Sequence, residues 1–189
     1  MQIPGKVLMV VAHPDDEIIF GFSQLQNKKT KVVCVTNGSN PQRSNEFKYL
    51  MQVLNIEHEI WNYTDVWGGS FAGYEEQLQT DIEAVLSKEK FNAILTHNQD
   101  GEYGHSQHIA LNSNIRTISI LNRIKVPDIW TFGSNMEPLP FKKLRDKLSL
   151  LKMYKSQYDL DAYDYRNQEN HEVYLMKWIV NEGFEKIGT

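Results

Sequence analysis

The sequence predicts an α/β fold in three layers, a mostly parallel sheet covered by helices on both faces. Three observations carry that expectation. Apolar runs of strand length recur along the chain, among them Val7-Leu8-Met9-Val10-Val11 and Val32-Val33-Cys34-Val35. Continuous runs of this kind mark strands buried on both sides. Between them lie segments whose apolar residues repeat at helical spacing, joined by polar turns rich in Asn, Gly and Pro.

Taken in order, residues 7–11 form the first strand, and residues 15–26 a helix with Ile18, Ile19, Phe22 and Leu25 at helical spacing. A second strand spans 31–36, followed by the loop Asn37-Gly38-Ser39-Asn40-Pro41 and a helix over 42–54 that buries Phe47, Leu50, Met51 and Leu54. Residues 57–61 make a short third strand. The loop over 62–73 is rich in glycine and aromatics, and the helix over 74–89 puts Leu78, Ile82, Val85 and Leu86 on one face. A strand over 91–96 leads through a turn-rich loop, 98–104, into a helix over 105–121. Residues 126–132 are another strand, which Pro127 weakens or places near an edge. A lysine- and leucine-rich helix over 142–154 and a final strand over 172–178 complete the list. Alternating strands and helices of this kind give a Rossmann-like three-layer α/β/α arrangement.

At 189 residues the chain is expected to fold as one domain, 1–189. The formal net charge of −4, with both signs mixed along the chain, offers no basic footprint for nucleic acid. Cys34 is the only cysteine, which excludes an intramolecular disulfide and fits a reducing compartment. The first residues lack the features of a signal peptide, and no apolar run approaches the roughly eighteen residues of a membrane span. A cytoplasmic, soluble protein with a small-molecule substrate is expected, with no nucleic-acid or membrane partner. The aromatic loop from Trp61 to Tyr74 is a candidate surface for homo-oligomers.

Two clusters carry the chemistry. Ala12-His13-Pro14-Asp15-Asp16-Glu17 directly follows the first strand, and Gly104-His105-Ser106-Gln107-His108 follows the strand over 91–96. In open α/β sheets, ligands sit beyond the C-terminal ends of the strands, so two loops distant in sequence can converge on one site. His13 and Asp16 can reach one ion across a strand-to-helix turn. His105 and His108, three apart on a helix, share a face. Adjacent Asp15 and Asp16 cannot easily point the same way, so one can bind metal while the other faces its water. Imidazole nitrogen, carboxylate oxygen and a spare carboxylate are the donors of a hydrolytic zinc site. A plainer account makes Asp15, Asp16 and Glu17 helix-start acids complementing the macrodipole, and the histidine pair incidental. The conjunction of both clusters at strand ends favours the metal.

These residues resemble the PIG-L/LmbE-like deacetylases, zinc-dependent hydrolases that remove acetyl groups from N-acetylglucosamine-containing molecules. The resemblance extends to Thr36-Asn37-Gly38, Arg43-Ser44-Asn45-Glu46, Thr96-His97-Asn98 and Gly101-Glu102-Tyr103-Gly104, and is only general beyond about residue 125. It implies His13, Asp16 and His108 as zinc ligands, with another divalent transition metal an alternative at such a nitrogen and oxygen site. It implies Asp15 as the general base acting on metal-bound water, and His105 as the cationic or hydrogen-bonding group that stabilises the tetrahedral intermediate. Arg43 falls where the family places a substrate-binding arginine. The departing amine takes its proton from Asp15 or from His105, a choice the sequence leaves open. Many members carry Asp just before the second histidine, where it can pair with the first; here that residue is Gln107, and Asp100 or Glu102 are candidates to take over that pairing.

The remaining histidines, His97, His58 and His171, suit structural or exposed roles. Trp67, Phe71, Tyr74 and Tyr103 offer either faces for a sugar or anchors for their loops. Lys152 and Lys155 read as a solvated helix face. An amidohydrolase for another small N-acyl compound keeps the same metal. A non-enzymatic sugar- or nucleotide-binding module is disfavoured, because no glycine-rich phosphate loop follows the first strand and Ala12 to Glu17 would repel a pyrophosphate.

Overall fold

A computed structural model of the chain describes residues 2–66, 68–157 and 171–187. Among the described residues, six strands form one sheet: β1 (Val7–Val11), β2 (Thr30–Thr36), β3 (Glu57–Tyr63), β4 (Ala93–Thr96), β5 (Asp128–Pro138) and β6 (Asn181–Ile187), in the order β3-β2-β1-β4-β5-β6. All neighbours are parallel except β5 and β6, which run antiparallel. The expected α/β class with a mostly parallel sheet is the observed one.

Both faces of the sheet are covered. Alternate residues of β1 point to opposite sides, as strand geometry requires. Val7, Met9 and Val11 pack with Phe47, Leu50 and Met51 of α2 (Pro41–Val53), while Leu8 and Val10 join Leu78, Ile82 and Val85 of α3 (Glu75–Lys88). Burying such side chains stabilises by roughly 1.5–3 kcal/mol each, so both helices are held mainly by their apolar faces. Leu111, Ile115 and Ile118 of α5 (Ser106–Leu121) extend the second core.

The chain runs from β1 outward to β2 and β3, then crosses back to place β4 on the other side of β1. Strand order therefore reverses between β1 and β4, where the C-terminal ends open a crevice. Both histidine clusters emerge at that switch point.

Three elements differ from expectation. The helix expected over 15–26 is only α1 (Asp16–Ile19), followed by turns and a 3₁₀ turn at Gln24–Gln26. The turn at Gly21 packs closely on the Met9 side chain of β1, where an added Cβ would stand 2.6 Å from Met9 Cε. The strand expected over 172–178 is a helix, α7 (His171–Val180), and the true last strand is β6 beyond it. An apolar run of this length is ambiguous by periodicity, and its continuation to Val180 gives it helical length. β5 starts only after Pro127 and runs beyond its pairing with β4 to Pro138, paired with β6 at both ends of that length. Helix α6 (Phe141–Leu151) stands where expected. Its fully buried Lys147 donates to Ile19 O at 2.7 Å and to Trp178 O at 2.9 Å. Those carbonyls belong to the last turns of α1 and α7, the helix ends that favour a cation.

Candidate active site

The first loop is built around a strained backbone. Asp15 has φ 108° and ψ −27°, in the left-handed region that non-glycine residues rarely adopt. The neighbouring Asp16 turns back, and its Oδ2 accepts the His13 N–H at 2.8 Å. Asp15 stands at the start of α1, yet its side chain makes no capping hydrogen bond. Helix capping therefore does not account for that carboxylate. Glu17 is fully buried and accepts the Asp15 N–H at 3.1 Å and the Tyr154 hydroxyl.

The second loop contains a single helical turn, Gly101–Gly104, interrupted by Glu102 at φ 61°. Gly104, at φ 89°, then reverses the chain so that His105 precedes α5, leaving His105 and His108 one turn apart with their rings 4.3 Å apart. His13 stands across from them, its ring 4.7 Å from His105.

Three donor atoms form a nearly equilateral triangle. His13 Nδ1 lies 3.3 Å from Asp16 Oδ2, His108 Nε2 lies 3.3 Å from His13 Nδ1, and His108 Nε2 lies 3.4 Å from Asp16 Oδ2. Ligands bound at roughly 2.0–2.1 Å in a tetrahedron stand roughly 3.3–3.4 Å apart, so the triangle has the size of one face of a zinc coordination sphere. His105 with His13 and His108, and His97 with Asp16 and His108, also cluster closely enough to hold an ion.

Hydrogen bonds separate these sets. The Ala12 N–H donates to His97 Nε2 at 3.1 Å, so that nitrogen's lone pair is used. His97 Nδ1 donates its proton to Glu102 Oε2 at 2.8 Å. Burial lowers and the surrounding acids raise the His97 pKa, to about 9 on balance. A protonated Nε2 would, however, face the Ala12 N–H donor to donor, so the geometry holds the neutral ring. His97 is thus a buried support with no lone pair left for a metal, as a structural role requires.

The triangle's nitrogens are braced from behind. Glu102 Oε2 also meets His108 Nδ1 at 2.7 Å, and its Oε1 accepts the Asn98 N–H. His13 Nε2 meets Gln107 Oε1 at 2.9 Å, and the Gln107 amide is oriented by donating to Thr64 O at 2.8 Å. Each far nitrogen therefore carries a proton, so His13 Nδ1 and His108 Nε2 are the nitrogens that can offer a lone pair toward the triangle. Neither Gln107 nor Glu102 takes up the expected pairing with His105. Gln107 braces His13, and Glu102 braces His97 and His108.

The electrostatics favour positive charge at the centre. Burial alone would raise Asp16, but His108, His13 and His97 hold it well below the usual carboxylate range. Burial alone would lower His13, yet Asp16 and Asp65 raise it to about 10, so the free ring carries a second proton, on Nδ1 facing Asp16, which a bound cation would replace. His105 is pushed down to about 3 by burial and by the neighbouring imidazoles, which favours a neutral hydrogen-bonding ring over a cationic one. Burial and the Asp16 charge push Asp15 well above its ordinary value.

Arg43 enters from the start of α2. Its Nη1 donates to Asp65 Oδ2 at 2.8 Å and its Nη2 to Pro14 O at 3.2 Å, while Asp65 Oδ1 lies 3.4 Å from His13 Nε2. Asp65 was not picked out in the sequence, although it follows β3 where the strand-end rule looks for site residues. Of the aromatic candidates, Phe71 is a buried loop anchor, Tyr103 stands edge-on to His105 and His108, Tyr74 is exposed, and Trp67 lies outside the described residues. His58 Nδ1 meets Ile56 O, a structural contact.

The model of the PIG-L family, described as GlcNAc-PI de-N-acetylase, matches residues 8–119. This chain belongs to the PIG-L family. It is 34% identical over 195 residues to the uncharacterized protein L374 of Acanthamoeba polyphaga mimivirus, covering 93% of this chain and 82% of that one. Among crystal structures it shares its fold with teicoplanin deacetylase Orf2 in a zinc-inhibited form (TM-score 0.62, 13% identity, 88% of this chain and 90% of that chain). It also shares it with Dbv21, the A40926 pseudoaglycone deacetylase (TM-score 0.60, 17% identity, 87% and 86%). GalB, the 4-carboxy-2-hydroxymuconate hydratase of Pseudomonas putida KT2440, matches as well (TM-score 0.67, 13% identity, 98% and 97%). One fold thus hosts deacetylases and a hydratase, so fold likeness alone does not choose a reaction. Among the described residues, no helix is long and apolar enough to cross a membrane.

Proposed function

We propose that this protein is a metal-dependent N-deacetylase, which hydrolyses the N-acetyl group of an N-acetylglucosamine-type amino sugar or of a glycoconjugate carrying one. The observation that carries this reading is the donor triangle of His13, Asp16 and His108, set in a PIG-L chain with Asp15 and His105 beside it. These three side chains would hold the ion, zinc being the best match to two imidazoles and a carboxylate. Bound there, the ion would supply a Lewis acid for the acetyl carbonyl and would lower the pKa of a water.

The chain's own groups account for the rest. Asp15 takes a proton from the attacking water, whose oxygen bonds to the acetyl carbon. His105 donates a hydrogen bond to the oxygen that becomes anionic as the carbonyl is attacked. The carbon–nitrogen bond then breaks, releasing acetate and an amine to which Asp15 returns the proton it took, since a neutral His105 carries only its hydrogen-bonding N–H. Arg43 and Asp65 meet at the edge of this site and offer the sugar hydroxyls a donor and an acceptor. We place the enzyme in the cytoplasm as one domain, and fractionation of cells expressing a tagged chain checks the location.

Metal analysis coupled to acetate release, across N-acetyl amino sugars and other N-acyl amines, tests the proposal. The wild type should bind about one divalent ion per chain and lose turnover with a chelator. Asp15→Ala should keep its metal and lose turnover, whereas His13→Ala should lose both. Hydrolysis confined to acyl amines that are not sugars would move the assignment to a general amidohydrolase.

A further inference from the structure

A second recess lies beside the donor triangle, at the edge of the sheet. It is a cleft of about 420 Å³ lined by Trp61, Tyr63, Tyr74, Gln77, Asp81 and the edge of Thr64 among others. β3 is an edge strand, so among the described residues no further strand covers this side. Trp61 and Tyr63, two apart on β3, share one face, with ring centroids 6.3 Å apart. Tyr74 stands edge-on to Tyr63 at 6.4 Å and is 59% exposed. The polar groups are fixed among these rings: the Tyr63 hydroxyl donates to Asp81 Oδ2 at 2.7 Å, and the Gln77 amide donates to Asp81 Oδ1 at 2.9 Å.

We infer that this cleft binds a second pyranose ring, the sugar next to the N-acetylated one. The inference rests on the amino-sugar reading of the neighbouring site. A pyranose has a face of C–H groups and a rim of hydroxyls. It suits a pocket that pairs partly exposed aromatic rings with a held carboxylate and amide. An acyl chain would meet the rings but would cover the Asp81 carboxylate with hydrocarbon, whereas a sugar rim offers it hydroxyl donors. The cleft is also connected to the chemistry. Thr64, on its rim, accepts from Gln107, which in turn meets His13, so a single glutamine side chain spans from cleft to donor triangle. Asp65, the residue after Thr64, is partly exposed and its Oδ1 lies 3.4 Å from His13 Nε2, so a disaccharide lying across Thr64 and Asp65 would bring its acetamide to the triangle.

The test compares acetate release from N-acetylglucosamine, N,N′-diacetylchitobiose and an octyl glycoside of N-acetylglucosamine. Tyr74→Ala and Trp61→Leu should raise KM for the disaccharide about three- to ten-fold, the worth of one or two aromatic contacts, and leave KM and kcat for the monosaccharide alone. Tyr74 is exposed, so its variant keeps the fold if Trp61→Leu does not. An unchanged disaccharide KM in Tyr74→Ala overturns the inference, as does an equal loss for the octyl glycoside. A second arm needs no turnover: saturation-transfer NMR with cellobiose, which has no acetamide, should show contact in the wild type and lose it in Tyr74→Ala. Cellobiose contact without hydrolysis of any N-acetyl sugar would keep the cleft and remove the deacetylase reading. Hydrolysis with equal cellobiose contact in both proteins would do the reverse.

Discussion

The two ends of the sheet both gather charge, and they do so differently. At the N-terminal end, Lys31 on β2 is ringed by Glu57, Glu59 and Glu89, at 3.1, 2.9 and 3.1 Å. Lys6 joins the group through Glu89. Burial would lower Lys31, but these carboxylates raise its pKa, so cation and anions satisfy one another. At the C-terminal end, Asp16 and Glu102 are buried and ionised, and their partners are imidazoles, two of which, His13 and His108, turn the nitrogen that can bind an ion toward one point. Among the described residues, the Arg43 guanidinium donates to Asp65 and to the Pro14 carbonyl. The first cluster is complete as it stands. The second is organised around positive charge that the side chains supply only in part, which is how a binding centre differs from an ion-pair network.

Four substitutions probe that contrast. The largest expected effect is at His105: His105→Ala should lower kcat about 10²–10³-fold, the usual cost of one donor to a developing oxyanion, while metal content stays at the wild-type level. Loss of metal together with turnover would make His105 a ligand. Glu102→Gln should weaken metal binding about 10–100-fold, as second-layer hydrogen bonds to ligands do, read by competition with a chromogenic chelator. An unchanged affinity would reduce Glu102 to a loop brace.

Stability carries the smaller effects. Tyr154→Phe removes the hydroxyl that donates to Glu17, a fully buried carboxyl that burial raises to about 7. Chemical denaturation should show a loss of about 1–3 kcal/mol, since a buried acceptor is left without its donor. Lys31→Met should cost about 1 kcal/mol at neutral pH and nothing in acetate release, because its partners are half-exposed and screened. The pH sign follows from the shifts. Glu59 and Glu89 are held below their ordinary value by Lys31 and other lysines, with burial opposing, so their contribution is present above about pH 4.5 and fades as pH falls. Wild type and Lys31→Met should therefore converge in stability in acid. A large activity loss in Lys31→Met would erase the contrast between the two ends.

The central strands and both histidine clusters were legible because their signals are local. Val7 to Val11 is apolar throughout, and His13, Asp16, His105 and His108 announce themselves by type, spacing and position at strand ends. What stayed hidden depends on partners distant in sequence. Nothing near Gln107 says that its amide spans from Thr64 to His13, and the Glu102 carboxylate reaches two histidines only because its own backbone is twisted. The glycines flanking Glu102-Tyr103 were the one local hint of that twist. Asp65 was visible only as a polar residue after a strand. The strand expected over 172–178 is helix α7 because a short apolar run carries little period, and its continuation to Val180 gives it helical length.

The backbone at Asp15 has a consequence for how this protein can change. A residue other than glycine at φ 108° stores about 1–3 kcal/mol of strain. Selection for robustness alone would therefore favour glycine there, and Asp15→Gly should melt higher while doing nothing to substrate. Thermal tolerance and turnover pull against each other at this single residue. A lineage released from the need to hydrolyse anything should lose this aspartate early and keep the rest of the fold.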